Sequence, residues 1–391
     1  MLIRSAANCD WRMNRESKAM SFSAILDQLP TGGSALLRRF ACLIEPKDDA
    51  QFERMAQEAR ALTLQNFGRT MRMFAPLYLS NECINNCRYC GFSRDNPILR
   101  VTLSLDEVLA EGRHLAAQGF RQVLLVAGEH PKFVTEGYLG ECVQALRPFF
   151  PSISLELGPM EIAGYEPLVA AGAEGLVVYQ ETYDRNIYAE MHTSGPKRNF
   201  NWRLECPERA YAAGFRRIGI GALFGLAPWQ PEAMALAAHL EYLLKHCWQS
   251  HFTVSLPRLR PAAGEFHPPH SLGDRALAQL ICAFRICFPQ VGIVLSTREP
   301  ARLRDALTSL GVTTMSSGSH TEPGGYTGQG RHTAHQTVRG RILPPDESKD
   351  ALATGQFQIG DERSPEEVAT LLRRSGFEPV WKDWDEAILA R

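Results

Sequence analysis

Phe74-Ala-Pro-Leu-Tyr-Leu-Ser-Asn-Glu-Cys83-Ile-Asn-Asn-Cys87-Arg-Tyr89-Cys90-Gly-Phe92 decides how the rest of the chain is read. It joins a short apolar run, Phe74–Leu79, to a polar loop with three closely spaced cysteines. Such a run, bounded by polar residues and rich in aromatic side chains, predicts a buried strand. The same unit recurs downstream. Apolar runs at Gln122–Ala127, Ile153–Leu157, Gly175–Tyr179, Arg217–Ala222, Phe252–Leu256, Gly292–Leu295 and Thr313–Ser317 alternate with amphipathic stretches. Among those stretches are Leu105–Gln118, Glu136–Leu146, Pro207–Ala213, Pro231–His246, Leu272–Cys287 and Ala301–Leu310. Gly119, Gly172, Gly214 and Gly311 stand just before strands, where helix C-caps belong. The pattern predicts an α/β fold, a closed (β/α)8 TIM-type barrel, with an open doubly wound sheet as the runner-up.

Around this core, residues 21–72 read as a helical layer, from apolar residues at three-to-four spacing such as those of Phe52–Leu64. Residues 319–360 lose all periodicity and are rich in Gly, His and Pro, which predicts a long loop or flap. A last helix should start at Ser364-Pro365, with Glu366 and Glu367 in its first turn. The expected division is therefore an N-terminal helical extension (1–72), the barrel (73–320) and a C-terminal loop and helix packed on it (321–391).

Composition narrows the function classes. With 45% hydrophobic and 22% charged residues, the chain is neither disordered nor fibrous. Lys+Arg number 42 and Asp+Glu 43, a balance that argues against nucleic acid or an anionic membrane as the main partner. No run approaches the ~18 apolar residues of a membrane span, and Met1–Lys18 lacks the apolar core of a secretory signal. A cytoplasmic location is expected, and with it reduced cysteines. Seven of the ten cysteines are scattered and read as small buried hydrophobes. Cys83, Cys87 and Cys90 do not. Zinc takes four ligands and the nearest histidine is His114, whereas three thiolates without a local fourth suit a [4Fe–4S] cluster with one open iron.

In a barrel, the cysteine loop lies on the C-terminal face, where active sites are assembled. Other strand ends should then supply polar partners: Gly128-Glu129-His130, Glu156, Gln180-Glu181-Thr182-Tyr183, Arg258-Leu259-Arg260, Ser296-Thr297-Arg298-Glu299 and Ser316-Ser317-Gly318-Ser319. Each has a plainer reading. Glu129 and Glu156 could pair with arginine, Tyr183 could anchor a packed loop, and one of Arg258 and Arg260 could be tied in a salt bridge. His320, His332 and His335 read as solvated loop residues rather than metal ligands.

Cys-x3-Cys-x2-Cys with Tyr89 before the third cysteine resembles the radical S-adenosylmethionine enzymes. Within them, the chain resembles the ThiH-type tyrosine lyases that make 2-iminoacetate for the thiazole ring of thiamine. The segments that carry the likeness are Pro76–Ser80, Cys90–Phe92, Leu125–His130, Val178–Tyr183, Pro257–Pro261, Leu295–Glu299, Pro323–Tyr326 and Pro379–Trp384, in order along the chain. Residues 1–40 and 327–358 match poorly. The resemblance implies that Cys83, Cys87 and Cys90 hold three irons of a [4Fe–4S] cluster and that S-adenosylmethionine binds the fourth. It further implies that Gly128, Glu129 and Glu156 face the cofactor, with Tyr89 near the adenine. The reaction implied is cleavage of L-tyrosine to 2-iminoacetate and p-cresol, fed by a flavodoxin- or ferredoxin-type donor, with thiazole synthase as protein partner. An amino-acid substrate needs a cation for its carboxylate. Arg298 is the first candidate and Arg258 or Arg260 the second, with Ser317, Ser319 and Tyr183 as further contacts.

Three alternatives are weighed. A lyase that processes its product further at a second cluster needs cysteines near its C-terminus, and none follows Cys287. A tryptophan lyase differs only in pocket shape. A non-catalytic iron–sulfur scaffold for thiazole synthase has no use for the Gly128-Glu129 and Arg298 segments.

Overall fold

A computed structural model describes residues 22, 23, 26, 34–343 and 351–381. Cys9, most of residues 21–33, and Lys382–Trp384 of the expected C-terminal segment lie outside the described residues. Two helices, α1 (Ala35–Ile44) and α2 (Asp49–Phe67), lead into β1 (Thr70–Ser80). Ser34 caps α1 by accepting from the Leu37 N–H at 3.1 Å, and Asp48 and Gln51 form a reciprocal capping box on α2. Phe40 of α1 packs edge-on against Phe284, which fixes this layer on the barrel wall.

The cysteine loop contains the short strands β2 (Asn86–Cys87) and β3 (Ile98–Arg100). Then follow α3 (Leu105–Ala117), β4 (Gln122–Ala127), α4 (Glu136–Leu146), β5 (Ser152–Glu156), α5 (Ile162–Ala171), β6 (Gly175–Glu181), α6 (Arg185–Met191) and β7 (His192–Ser194). After α7 (Phe200–Leu204) and α8 (Cys206–Ala213) come β8 (Arg217–Ala222), α9 (Trp229–His246), β9 (His251–Ser255), α10 (Asp274–Cys287), β10 (Gly292–Leu295), α11 (Ala301–Leu307) and β11 (Thr314–Ser316). Parallel pairing runs β1-β4-β5-β6-β8-β9-β10-β11, and β11 closes on β1 with Met73 opposite Met315. The expected closed barrel is therefore the observed one, and the open sheet is not.

The C-terminal part differs from the expected bare loop. Residues 319–360 include a hairpin, β12 (His335–Val338) and β13 (Arg341–Ile342), and β12 pairs antiparallel with β3 of the cysteine loop. The chain between is tied down by the buried Glu111 carboxylate, which accepts from the Tyr326 and Thr327 N–H groups at 3.0 and 2.7 Å. Helix α12 (Pro365–Arg374) starts at Ser364 as expected, with a capping box to Glu367, and β14 (Glu378–Val380) pairs with the start of β1. Gly119, Gly172 and Gly214 hold φ of 100°, 115° and 111°, as helix ends require. Gly311 does not. Helix α11 stops earlier, at Leu307, and Gly311 is small because a Cβ would lie 3.0 Å from Ile281, where its carbonyl accepts from Arg285.

Candidate active site

Strand β1 delivers the chain to the C-terminal mouth of the barrel, where Arg100 shapes the loop from beneath. Its guanidinium donates to the carbonyls of Asn81, Phe92 and Ser93 at 2.6, 3.0 and 2.7 Å, and its Nε to Thr337 Oγ1 at 2.8 Å. One buried cation thereby satisfies both ends of the loop. Strand β2 is stitched antiparallel to β7, with Cys87 opposite His192. Gly128 meets the loop from β4. A Cβ there would lie 2.2 Å from the Glu82 carbonyl oxygen, so the position needs glycine because of the loop itself.

Cys83, Cys87 and Cys90 are all free thiols, with Cys87 buried and the other two half-buried. Burial pushes the Cys87 and Cys90 thiols up, and Lys197 opposes it. Among the described residues no three or more Cys, His, Asp or Glu side chains surround one metal-ion position. Three thiols spread over one loop suit a cluster, whose irons sit at separate corners, better than a single zinc.

A buried charged group flanks Cys87. Glu181 ends β6 with a φ of 73°, a rare left-handed conformation for a side chain with a Cβ. That turn aims its carboxylate at Lys197 Nζ (2.7 Å) and Arg203 Nη2 (3.3 Å). Burial opposes ionisation of Glu181, yet the two cations outweigh it and hold its carboxyl below the usual value. Next to them, the His192 Nδ1 lies 2.8 Å from the Tyr188 carbonyl, to which it must donate. Its Nε2 therefore accepts from the Tyr89 hydroxyl at 2.8 Å, and burial drives His192 down to about 3, so it stays neutral. Glu129 lies on the other side, accepting from Asn85 Nδ2 at 2.7 Å.

Below the mouth, Glu156, Tyr78, Tyr179, Arg298 and Ser319 line one cavity inside the barrel. Arg298 is the only basic residue among the described residues lining it, and its guanidinium lies 3.4 Å from the centre of the Phe357 ring. Burial pushes Glu156 up to about 7 against the pull of Arg298. Residues 354–361 cross the top as a strap. Gln356 accepts from the Tyr78 hydroxyl (2.8 Å) and the Gly91 N–H (3.1 Å), while the Gln358 N–H donates to Pro261 and the Gly360 N–H to Thr297.

The structure sorts the sequence candidates. Arg298 and Ser319 line the cavity with Glu156, and the fully buried Ser317 lies two residues before Ser319; neither serine hydroxyl has a hydrogen-bond partner. Arg258 is not available to a ligand: it grips Glu299 through two nitrogens, Asp274 at 2.7 Å and the Leu272 carbonyl. Arg260 keeps a buried Nε without a partner but does not line the cavity. The two arginines do not share a strand face, because β9 ends at Ser255 and they lie in the following loop. Tyr183 turns away from the interior, and its hydroxyl meets His239 of α9 at 2.9 Å, because the chain reverses at Glu181. Lys197, Arg203, Gln356 and Phe357 were not foreseen. The first two look like a solvated basic stretch, and the last two fall in the segment with no readable pattern.

A closed parallel barrel with three free cysteines at its mouth defines the radical S-adenosylmethionine class. The Radical SAM superfamily model matches residues 77–237, and the Biotin and Thiamin Synthesis associated domain matches residues 255–378. The 2-iminoacetate synthase of Escherichia coli (strain K12) is 41% identical over 344 residues, covering 88% of this chain and 86% of the relative. That of Salmonella typhimurium is 40% identical over the same shares. The chain belongs to the 2-iminoacetate synthase family. Its cofactors are accordingly a [4Fe–4S] cluster and S-adenosylmethionine. Among solved structures, the FeFe-hydrogenase maturase HydG from Carboxydothermus hydrogenoformans superposes with a TM-score of 0.79 and 36% identity, over 93% of this chain and 80% of that one. Among the described residues no helix is long and apolar enough to cross a membrane.

Proposed function

We propose that this chain is a 2-iminoacetate synthase that breaks the Cα–Cβ bond of L-tyrosine, giving 2-iminoacetate and p-cresol, with 5′-deoxyadenosine and methionine formed from the cofactor. The observation that carries the reading is the interior cavity, which offers an amino acid one guanidinium beside aromatic walls, directly below the cysteine loop. When bound, the cluster and S-adenosylmethionine supply one-electron, hydrogen-abstracting chemistry.

The chain's own residues do the rest. Cys83, Cys87 and Cys90 hold the cluster as thiolates on a loop fixed by Arg100. Glu129, oriented by Asn85, accepts from the cofactor's ammonium. The Glu181–Lys197–Arg203 group, beside Cys87 and Tyr89, presents both charge signs to the cofactor's amino-acid end. Arg298 takes the tyrosine carboxylate in its fork, and the unpartnered Ser317 and Ser319 hydroxyls serve the amine. The strap over Gln356 and Phe357 keeps water from the reacting centre. A flavodoxin- or ferredoxin-type donor and thiazole synthase are the partners this reading requires, since 2-iminoacetate hydrolyses in water.

The test is an anaerobic assay of reconstituted protein with tyrosine, S-adenosylmethionine and a reductant. Comparable amounts of 5′-deoxyadenosine, p-cresol and glyoxylate are expected. Formation of 5′-deoxyadenosine without p-cresol, but with tryptophan consumed when it replaces tyrosine, would move the substrate to tryptophan. No product at all from an intact, reducible cluster would end the catalytic reading of this chain alone.

A further inference from the structure

Barrels of this kind are normally plugged by layers of branched apolar side chains. Here the inward positions of the lower half carry Ser152, Ser154, Gly219, Thr253, Ser255 and Gly292. The small residues leave a cavity of about 420 Å3 in the barrel floor, toward the N-terminal ends of the strands. Phe74, Leu124, Tyr179, Ser255 and Val294 line both this space and the substrate cavity above it, so the two are stacked along one axis. The floor has a distinct charge. Arg72, Arg217 and His251 border it, and no aspartate or glutamate is among the described residues lining it. Glu174, just outside, pairs with Arg217 at 3.3 Å and offsets part of that charge. Gln122 also lines the space. It is 8% exposed, and its Nε2 donor has no hydrogen-bond partner. A buried donor left unmade costs ~1–3 kcal/mol, which a ligand oxygen would relieve.

We propose that the floor cavity binds a small carboxylate, and that this ligand is the imino-acid product leaving through the N-terminal end of the barrel. The inference rests on the proposed reaction for the ligand's identity. Its logic is steric and electrostatic. The upper mouth is crossed by the strap and the cysteine loop, whereas the downward path sets hydroxyls, glycines and donors that suit a planar anion among apolar walls such as Phe74, Leu124 and Phe252.

The test uses the full chain and oxamate, a stable planar analogue of the imino acid, in isothermal titration calorimetry with no turnover required. Because Arg298 itself takes carboxylates in the upper cavity, the titrations are run in the Arg298→Ala background, which should still bind oxamate in the floor. Thr253→Leu, which fills the floor, should weaken binding about tenfold or more. Gln122→Leu, which removes the donor at nearly constant volume, should weaken it too and carries the test if Thr253→Leu fails to fold. Unchanged binding in both floor variants, loss in Arg298→Ala, or p-cresol binding in preference to oxamate overturns the proposal. In the loaded enzyme, Thr253→Leu should form p-cresol normally in the first turnover and release glyoxylate more slowly in later ones. Oxamate binding in a protein that makes no p-cresol from tyrosine would sink the proposed reaction and leave the carboxylate site standing.

Discussion

Arg298 and Glu156 set the character of the substrate cavity. A lysine at 298 keeps the charge but loses the planar fork, so Arg298→Lys should raise the KM for tyrosine about tenfold, and Arg298→Ala about a hundredfold, as expected for a lost charge-assisted pair of ~1.5–3 kcal/mol. Formation of 5′-deoxyadenosine should continue while p-cresol falls, which steady-state assays of both products would reveal. Glu156 gives a pH signature. Burial raises its carboxyl from 4.5 to about 7, so between those values the folded chain holds a proton that the unfolded chain has released. Stability conferred by this group is present below pH 4.5 and is lost as pH rises through 7. Thermal melts from pH 5 to 8 should therefore show wild-type protein losing ground to Glu156→Gln. A parallel pair of curves would mean that the carboxyl titrates normally.

At the scale of elements, the cysteine loop depends on one side chain. Removing Arg100 strips the buried carbonyls of Asn81, Phe92 and Ser93 of their donor. Arg100→Ala should cost on the order of 2–4 kcal/mol and, more tellingly, lower the iron bound per chain after reconstitution. Full iron loading would show that the loop holds its shape unaided. This loop also marks where sequence reasoning stops. Strands β4, β8 and β10 fall on the residues their apolar runs indicate, because sharp polar or glycine boundaries enclose them. Strands β2, β3, β7 and β12 are two to four residues long and exist only through partners remote in the chain, such as Leu99 with Gln336. No local pattern announces them. The same limit explains Arg258 and Tyr183. Alternation implies a shared face only while the backbone stays extended, and both follow points where it does not.

Across the whole molecule, the strap is anchored far from the chemistry. Asp361 and Arg304 are both fully buried and paired, and Arg304 also donates to the Ser316 carbonyl while Arg363 joins Asp361 to Asp305. Leaving Arg304 without its carboxylate should cost about 3–5 kcal/mol, so Asp361→Ala should melt well below wild type. Burial opposes ionisation of Asp361, but the hydrogen bond from Arg363 and the charge of Arg304 outweigh it, holding the carboxyl below its ordinary value. That contribution is intact at neutral pH and is lost as pH falls through the lowered value. Wild type should thus converge on Asp361→Asn in acid melts; a constant gap down to pH 2 would refute the pairing. Such an anchor, joining β11, α11 and the segment before α12, was invisible in the sequence because its partners are tens of residues apart and individually unremarkable charges.

Strand β1 has neighbours on every available edge: β4 along its upper half, β11 at its middle and β14 at its start. On the ribosome these arrive at very different times. β1 is made early, while Thr314–Ser316 and Glu378–Val380 emerge more than 200 and roughly 300 residues later, a wait of about 15–60 s at ordinary elongation rates. Until then the strand that leads into the cysteine loop lacks those neighbours and the nascent sheet cannot close. Barrel closure is therefore a late event of synthesis, and the waiting chain is a natural client for chaperones and, through its cysteines, a target for oxidation.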